Sequence, residues 1–294
     1  MAAADRKPIL ISGAGVASLL LAQSLFRASI PFRIFEKDAS IIFRAQGYRL
    51  RLSNEGLDAI EAALGPEGFQ KFWDACGKTG GVGFTTIDAL TADPFEDGIP
   101  TAKKAPDASA EASKILRETL ASREGKVVGI SRGDMRRIFL SGCEDFIDWG
   151  HQVTGYELTD SGVRAIFADG SRSIEGEMLV GGEGIYSRVA EQVSGGRLKV
   201  FDTGARGIHG QAPTTAFKGL GEGVWRAIDD SRPDGRVFII TNVRPGSMDD
   251  PSVDFGWTMG AQSGVIQPPN DDYTITGVTA ANIARSITKD WHPV

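Results

Sequence analysis

The feature that most constrains this sequence lies between residues 8 and 37. Pro8-Ile9-Leu10-Ile11-Ser12 is short, apolar and bounded by glycine, the pattern of a strand buried in a parallel sheet. Gly13-Ala14-Gly15-Val16-Ala17-Ser18 follows, and then the mostly apolar run from Leu19 to Arg27, which reads as a helix. Ile30 to Lys37 reads as a second strand carrying the acid Glu36 at its end. Strand, glycine turn, helix, strand and acid in that order predict a parallel βαβ crossover. Gly13 permits a tight turn, Gly15 lets the backbone approach a pyrophosphate, and the helix start offers free N–H groups to phosphate. Glu36 lies 18 residues beyond Ser18, where a carboxylate accepts hydrogen bonds from a ribose 2′-OH and disfavours a 2′-phosphate. The unit therefore suits FAD or NAD over NADP. The alternative is a structural βαβ unit without a ligand. Ser18 stands where the fingerprint has its third glycine. Its added Cβ and hydroxyl imply a helix that stands off slightly, or a hydroxyl bonded to a nearby carbonyl.

The chain of 294 residues exceeds the ~100–150 of a typical domain, so two domains are expected. Its 41% hydrophobic and 24% charged residues suffice for a packed core. A net charge of −6 argues against a nucleic-acid partner. The basic pairs Lys103-Lys104 and Arg136-Arg137 read as solvated charges. Cys76 and Cys143 are far apart and belong to no CxxC pair, which predicts free thiols in a reducing compartment. His151, His209 and His292 lack ligand spacing, so no metal site is expected. Residues 1–7 are short and polar, and the run from Val16 to Leu25 is too short to cross a bilayer. A cytoplasmic protein with no membrane span is the expectation.

Further motifs narrow the ligand. Phe43-Arg44-Ala45-Gln46-Gly47-Tyr48 is followed by Ser53-Asn54-Glu55-Gly56-Leu57-Asp58-Ala59-Ile60. Later come Ser131-Arg132-Gly133-Asp134-Met135 and Gly181-Gly182-Glu183-Gly184-Ile185-Tyr186-Ser187-Arg188-Val189. In these segments the chain resembles the class A flavoprotein monooxygenases, the group of para-hydroxybenzoate hydroxylase, salicylate hydroxylase and many fungal biosynthetic enzymes. The resemblance implies that Arg44 and Gly47 run past the FAD phosphates, that Asn54 and Ala59-Ile60 begin the following helix, and that Arg132 reaches the flavin or its phosphates. The alternatives are a surface salt bridge for Arg44, and a surface residue for Arg132 beside a helix-capping Asp134. The most specific match is to the family's G-A-D-G-x-x-S-x-V-R motif, with Glu183 in place of its Asp and Ala190 in place of its closing Arg. With Gly13, Gly15, Ser18, Glu36 and Lys37, these residues make up the expected cofactor site.

The same resemblance implies an α/β protein: a Rossmann-like FAD/NAD(P)-binding fold with an interleaved β-sheet substrate domain. Residues 1–75 and 125–195 are assigned to the first, and 76–124 and 196–294 to the second. Val163 to Ala168, a turn at Asp169-Gly170 and a return from Ile174 to Val180 read as a hairpin. The segment Gly207 to Thr215 resembles the entry into the substrate sheet, with His209 in place of a Tyr and Gln211 in place of a Lys. Val224–Ile228, Arg236–Asn242 and Val253–Met259 read as antiparallel strands joined by polar turns. Trp225, Phe238, Phe255 and Trp257 are candidates to line a pocket, although packing into the core is the commoner fate of each. His209 is a candidate relay and more commonly a packing residue. Residues 84–124 show no strong period, and Lys103 to Ala110 reads as a mobile loop.

The family's second motif, G-D-A-A-H, does not occur here, and Ile283 to Pro293 resembles the stretch that precedes it. Two readings follow. In the first, the chain shares the family's chemistry: NAD(P)H reduces FAD, O2 gives a flavin C4a-hydroperoxide, and an aromatic or olefinic small molecule of secondary metabolism is hydroxylated or epoxidised. In the second, a shortened member with weak or lost flavin binding works as an isomerase, a cyclase or a small-molecule-binding protein. A third reading, a plain NAD-dependent dehydrogenase, is disfavoured by the arginine and Gly-Glu-Gly matches. Apolar sheet surface left exposed would favour a homodimer.

Overall fold

The computed structural model describes residues 6–41, 49–80, 84–95 and 122–293. In chain order the strands are β1 (Ile9–Ser12), β2 (Phe32–Glu36), β3 (Arg49–Leu52), β4 (Gly77–Gly80), β5 (Phe84–Asp88), β6 (Lys126–Ser131) and β7 (Ile147–Trp149). They continue as β8 (Val153–Leu158), β9 (Val163–Phe167), β10 (Met178–Gly181), β11 (Arg206–Pro213), β12 (Gly223–Asp229), β13 (Val237–Val243) and β14 (Asp254–Ala261). The helices are α1 (Val16–Arg27), α2 (Asn54–Ala75), α3 (Arg132–Leu140), α4 (Arg188–Val193) and α5 (Gly277–Ile287). Parallel and antiparallel sheets coexist, as the α/β expectation requires. The chain forms two compact units, Met1–Gln46, Glu55–Ala75 and Ser131–Phe201 in the first, Gly47–Asn54, Cys76–Ile130 and Asp202–Val294 in the second.

The first unit is built on a parallel sheet of order β10-β1-β2-β7. Leu10 and Ile11 are fully buried, which explains why β1 is apolar along its length. Leu10 and Phe35 pack with Val153, Ala165, Phe167 and Val189 on one side. On the helical side, buried Gln23 of α1 donates from Nε2 to the carbonyls of Phe139 and Ser141, each at 2.8 Å, and so ties α1 to the end of α3. Helix α2 is broken at Gly65 (φ 71°), with Pro66 starting its second half. Arg27 donates from Nη1 to the carbonyls of Ala62 and Ala63 at 2.9 Å, capping the first half. A Cβ at Gly65 would sit 2.7 Å from that guanidinium.

The second unit holds a five-stranded sheet of order β11-β14-β13-β12-β5 and a small sheet of order β3-β6-β4. The three antiparallel strands read from the sequence are β12, β13 and β14, and β11 pairs antiparallel with β14 along its whole length. On one side Val237, Met259 and Ala261 pack with Val265, Ile266 and Ala284 of α5. On the other, Phe217, Val243 and Phe255 gather Trp225 and Val253.

Three expectations change. The turn at Gly170 (φ 83°) is present, and Ile166 and Val163 bridge to Arg172 and Gly176. However, the longer partner of β9 is β8, and Met178–Gly181 leaves to pair parallel with β1. An apolar tetrapeptide satisfies either partner, and the open edge of β1 takes it. The second change is in residues 84–88, which form a strand despite their weak pattern, held parallel against β12. The third concerns Arg136-Arg137, which is not a solvated pair: Arg137 is exposed, whereas Arg136 is only 2% exposed. Lys103 to Ala110 lies outside the described residues.

Candidate functional site

In the first unit the turn after β1 meets the turn after β10. Gly13 has φ 89°, and its N–H donates to the Phe35 carbonyl at 2.7 Å. A Cβ at Gly13 would lie 2.8 Å from the Gly182 carbonyl oxygen. Gly182 in turn donates its N–H to Ser12 at 2.8 Å, and a Cβ there would overlap the Ser18 hydroxyl. Ser18 is therefore accommodated by the glycine opposite, and it is buried at 4% exposure. Gly15 differs from both. Its backbone is extended (φ −70°, ψ 170°), and the nearest protein atom to an added Cβ would be 3.8 Å away. The protein itself does not crowd Gly15, so its bare Cα leaves a cradle open in front of α1. Gly15 is the N-cap of α1 and carries no side-chain cap, so the first N–H groups of the helix lack intrahelical acceptors.

The end of β2 borders the same cleft. Glu36 is 7% exposed, and its Oε2 accepts from Ala14 N–H at 2.6 Å while Oε1 accepts from Asp38 N–H at 3.0 Å. Both carboxylate oxygens are thereby fixed, and each keeps a lone pair for a hydroxyl. Lys37 is exposed beside it. Arg136 holds the turn from behind, donating from Nε to the Ala14 carbonyl at 3.2 Å and from Nη1 to Ile41 at 3.3 Å. Half-buried Arg132 opens α3, whose N-cap is Ser131; the Ser131 hydroxyl accepts from Asp134 N–H at 3.0 Å. The cap is thus Ser131 and not Asp134, which sits at the third helical position.

Glu183 uses its extra methylene to reach α4. Its Oε2 accepts from the Ser187 hydroxyl at 2.6 Å and its Oε1 from Val189 N–H at 3.2 Å. These residues enclose a cleft of about 400 Å³ lined by the Gly13–Gly15 turn, Glu36, Lys37, Arg132, Arg136, His151, Glu183 and Arg188. Within the ordinary range of ligand pockets, it offers a glycine cradle, a helix start, a fixed carboxylate and three arginines. Arg136, His151 and Arg188 were not singled out from the sequence. Arg188 lies two residues before Ala190, the position where the resembled motif carries its arginine, and pairs with Glu191 at 2.8 Å. Arg44 and Gly47 lie outside the described residues.

The second unit carries its own cavity of about 280 Å³ on the five-stranded sheet. Apolar lining comes from Phe84, Val224, Ile240 and Trp257, and polar lining from Arg49, Asn242 and Thr258. Of the four pocket candidates, Trp257 lines this cavity. Trp225 packs among Phe217, Val243 and Phe255, donating from Nε1 to Gly221 at 2.7 Å. Phe238 lies over Gly260, where a Cβ would strike its ring. His209 is exposed on β11 with Nδ1 3.0 Å from the Thr258 hydroxyl.

A glycine-turn parallel sheet and a second sheet, antiparallel except at β5, are shared with the fold of solved flavoprotein monooxygenases. HpxO of Klebsiella pneumoniae, solved with FAD and uric acid, matches 97% of this chain and 63% of its own at TM-score 0.66 and 16% identity, which shows the fold. The dual O-methyltransferase/FAD-dependent monooxygenase elcB of Phaeosphaeria nodorum is 32% identical over 219 residues, 73% of this chain and 22% of that protein. The FAD-dependent monooxygenase nscC of Aspergillus fumigatus is 31% identical over 197 residues, 65% of this chain and 43% of that protein. No protein-family model matches. The homologues of the chain are FAD-dependent monooxygenases of the fungal biosynthetic type. It spans about a fifth of the length of the dual-function relatives, 22% in the case of elcB. Among the described residues no helix is long and apolar enough to cross a membrane.

Proposed function

We propose that the first unit binds FAD through its adenosine and pyrophosphate, and that the protein oxygenates an aromatic or olefinic small molecule with NAD(P)H and O2. The observation that carries this reading is the cleft in which the uncrowded Gly15, the bare start of α1 and the clamped Glu36 face the same space. The pyrophosphate lies against Gly15 and the first N–H groups of α1, with Arg132 and Arg188 supplying charge. Glu36 takes the ribose hydroxyls on its remaining lone pairs. Arg136 keeps the turn in place and does not itself need to touch the ligand. FAD supplies the electron transfer and oxygen activation once bound. The protein's part is binding, orientation and exclusion of water.

The test is an absorbance and fluorescence titration of the purified chain with FAD. Saturable binding with quenched flavin emission is expected, and no titratable binding would overturn the reading. Glu36→Ala should weaken binding by about 1–3 kcal/mol through lost ribose hydrogen bonds.

Two finer points belong to the same reading. A homodimer is supported by the exposed apolar residues Ile185, Tyr186, Leu198 and Phe201, all at least 64% exposed. A cytoplasmic location is supported by two buried free thiols.

A further inference from the structure

One neutral amide interrupts an apolar stretch of the second unit's cavity. Asn242 lies on β13, two residues from Ile240 and paired with Val224 of β12, so the three side chains share one face of the sheet, and all three line the cavity. Asn242 Oδ1 accepts from the hydroxyl of Thr79 at 2.8 Å. Thr79 belongs to β4 of the small sheet and is fully buried, so this bond ties the two sheets of the unit together. The hydroxyl also settles which end of the amide faces it. It carries one hydrogen, and a buried hydrogen left without an acceptor is costly. Among the described residues Oδ1 is the acceptor it meets. Oδ1 therefore turns to Thr79, and Nδ2, on the same carbon, turns away from it. Asn242 is half-buried, and Nδ2 makes no hydrogen bond among the described residues.

A tie between two sheets needs only the acceptor. The amide brings two N–H donors as well, into a stretch otherwise formed by Phe84, Val224 and Ile240, where an unmatched polar group is penalised. We infer that Asn242 is a specificity-determining residue of this cavity: its Nδ2 hydrogens donate to an uncharged acceptor, a carbonyl oxygen or a ring nitrogen, on an otherwise apolar ligand, and Thr79 is the positioning residue that holds the amide in that sense. The inference rests on the reading of the second unit as the substrate-binding part. To that reading it adds the direction of one hydrogen bond, from protein to ligand. A ligand that offers this point a bare hydrocarbon leaves the donors unmatched and is selected against. Arg49, Arg51 and Thr258 also line the cavity, so the share of Asn242 is read from its own variants.

The test is an NMR titration of the full chain, without flavin, with acetophenone and with α-methylstyrene, which has the same shape and a CH2 in place of the carbonyl oxygen. The quantity read is the ratio of the two affinities, so that the different water solubilities of the probes cancel between proteins. Asn242→Asp keeps the acceptor for Thr79 and removes both donors, and Asn242→Leu removes both functions. In each the ratio should fall against the ketone by roughly twofold to tenfold, the worth of one hydrogen bond. Thr79→Val, which frees the amide to turn, should lower the ratio by less. An Asn242 that only ties the sheets would leave the ratio unchanged in Asn242→Asp, and that result would overturn the proposal, as would binding of neither probe to the wild type. The wild type alone decides where a variant fails to fold: the infrared carbonyl stretch of bound acetophenone should lie below its position in alkane, and a stretch at the alkane position would show that the carbonyl meets no donor. Absent FAD binding in a separate titration would count against the monooxygenase reading and leave the acceptor preference standing.

Discussion

Ser18 takes the place of a fingerprint glycine, and the room for it is made far along the chain at Gly182. Gly182→Ala should lower stability by about 1–3 kcal/mol, the cost of forcing a methyl into a closed site. Ser18→Gly in the same protein should restore part of that loss. The recovery should be partial because a Cβ at Gly182 would also lie 2.9 Å from the Ser12 carbonyl. Thermal unfolding of the two single variants and the double variant measures the coupling, and strict additivity would show that the two sites do not share space. At this scale the sequence was legible where residue type and local geometry are tightly bound: Gly13, Gly15 and Glu36 come together at one cleft. Arg136 was not, because adjacent residues on a helix point about 100° apart. One arginine of the pair therefore faces water and its neighbour faces the glycine turn, and nothing in the dipeptide says which.

Elements show the same division. The break within α2 and the start of α3 rest on polar caps that a single substitution removes. Ser131→Ala should cost about 0.5–2 kcal/mol, seen as a lower unfolding midpoint, since it strips the acceptor from Asp134 N–H. Arg27→Met should cost on the order of 1 kcal/mol by uncapping the break before Pro66, the exposed setting of Arg27 keeping the loss modest. Strands β12, β13 and β14 were readable because turns punctuate an alternating pattern. Strand β5 was not, because Phe-Thr-Thr-Ile-Asp becomes a strand through its distant partner β12 and not through its own pattern. The exchange of partners at Met178–Gly181 has the same origin: local pattern fixes a strand, and only the rest of the sheet fixes its neighbour.

Over the whole molecule, both cysteines are withdrawn from solvent chemistry. Burial raises Cys76 and Cys143 from an ordinary 9.0 to about 11, with Glu144 adding to the shift at Cys143. Neither should react with iodoacetamide at pH 8 in the folded protein, and both should react once urea unfolds it. The unfolded chain releases these protons first. The stability the thiols contribute is therefore complete below pH 9 and falls as pH rises from about 9 through about 11. A urea midpoint that stays level across that interval would contradict the burial. The proposed dimer is checked by light scattering behind a sizing column, where Phe201→Ser, at a residue 86% exposed, should shift the protein toward monomer.

The pairing of Ile9 with Met178 also sets a timetable for synthesis. Strand β1 is made almost first, yet one of its two sheet neighbours is separated from it by most of the first unit and two segments of the second. At ribosomal speeds of ~5–20 residues per second, β1 waits on the order of ten to thirty seconds with that edge unpaired. Strand β2 reaches it within the first second or few, so the nascent chain holds a narrow apolar ribbon whose β2 edge is covered by β7 before β10 covers the edge of β1. A translational pause placed before residue 178 should raise the aggregated fraction of this protein, and a pause placed after residue 201, where the first unit is complete, should not.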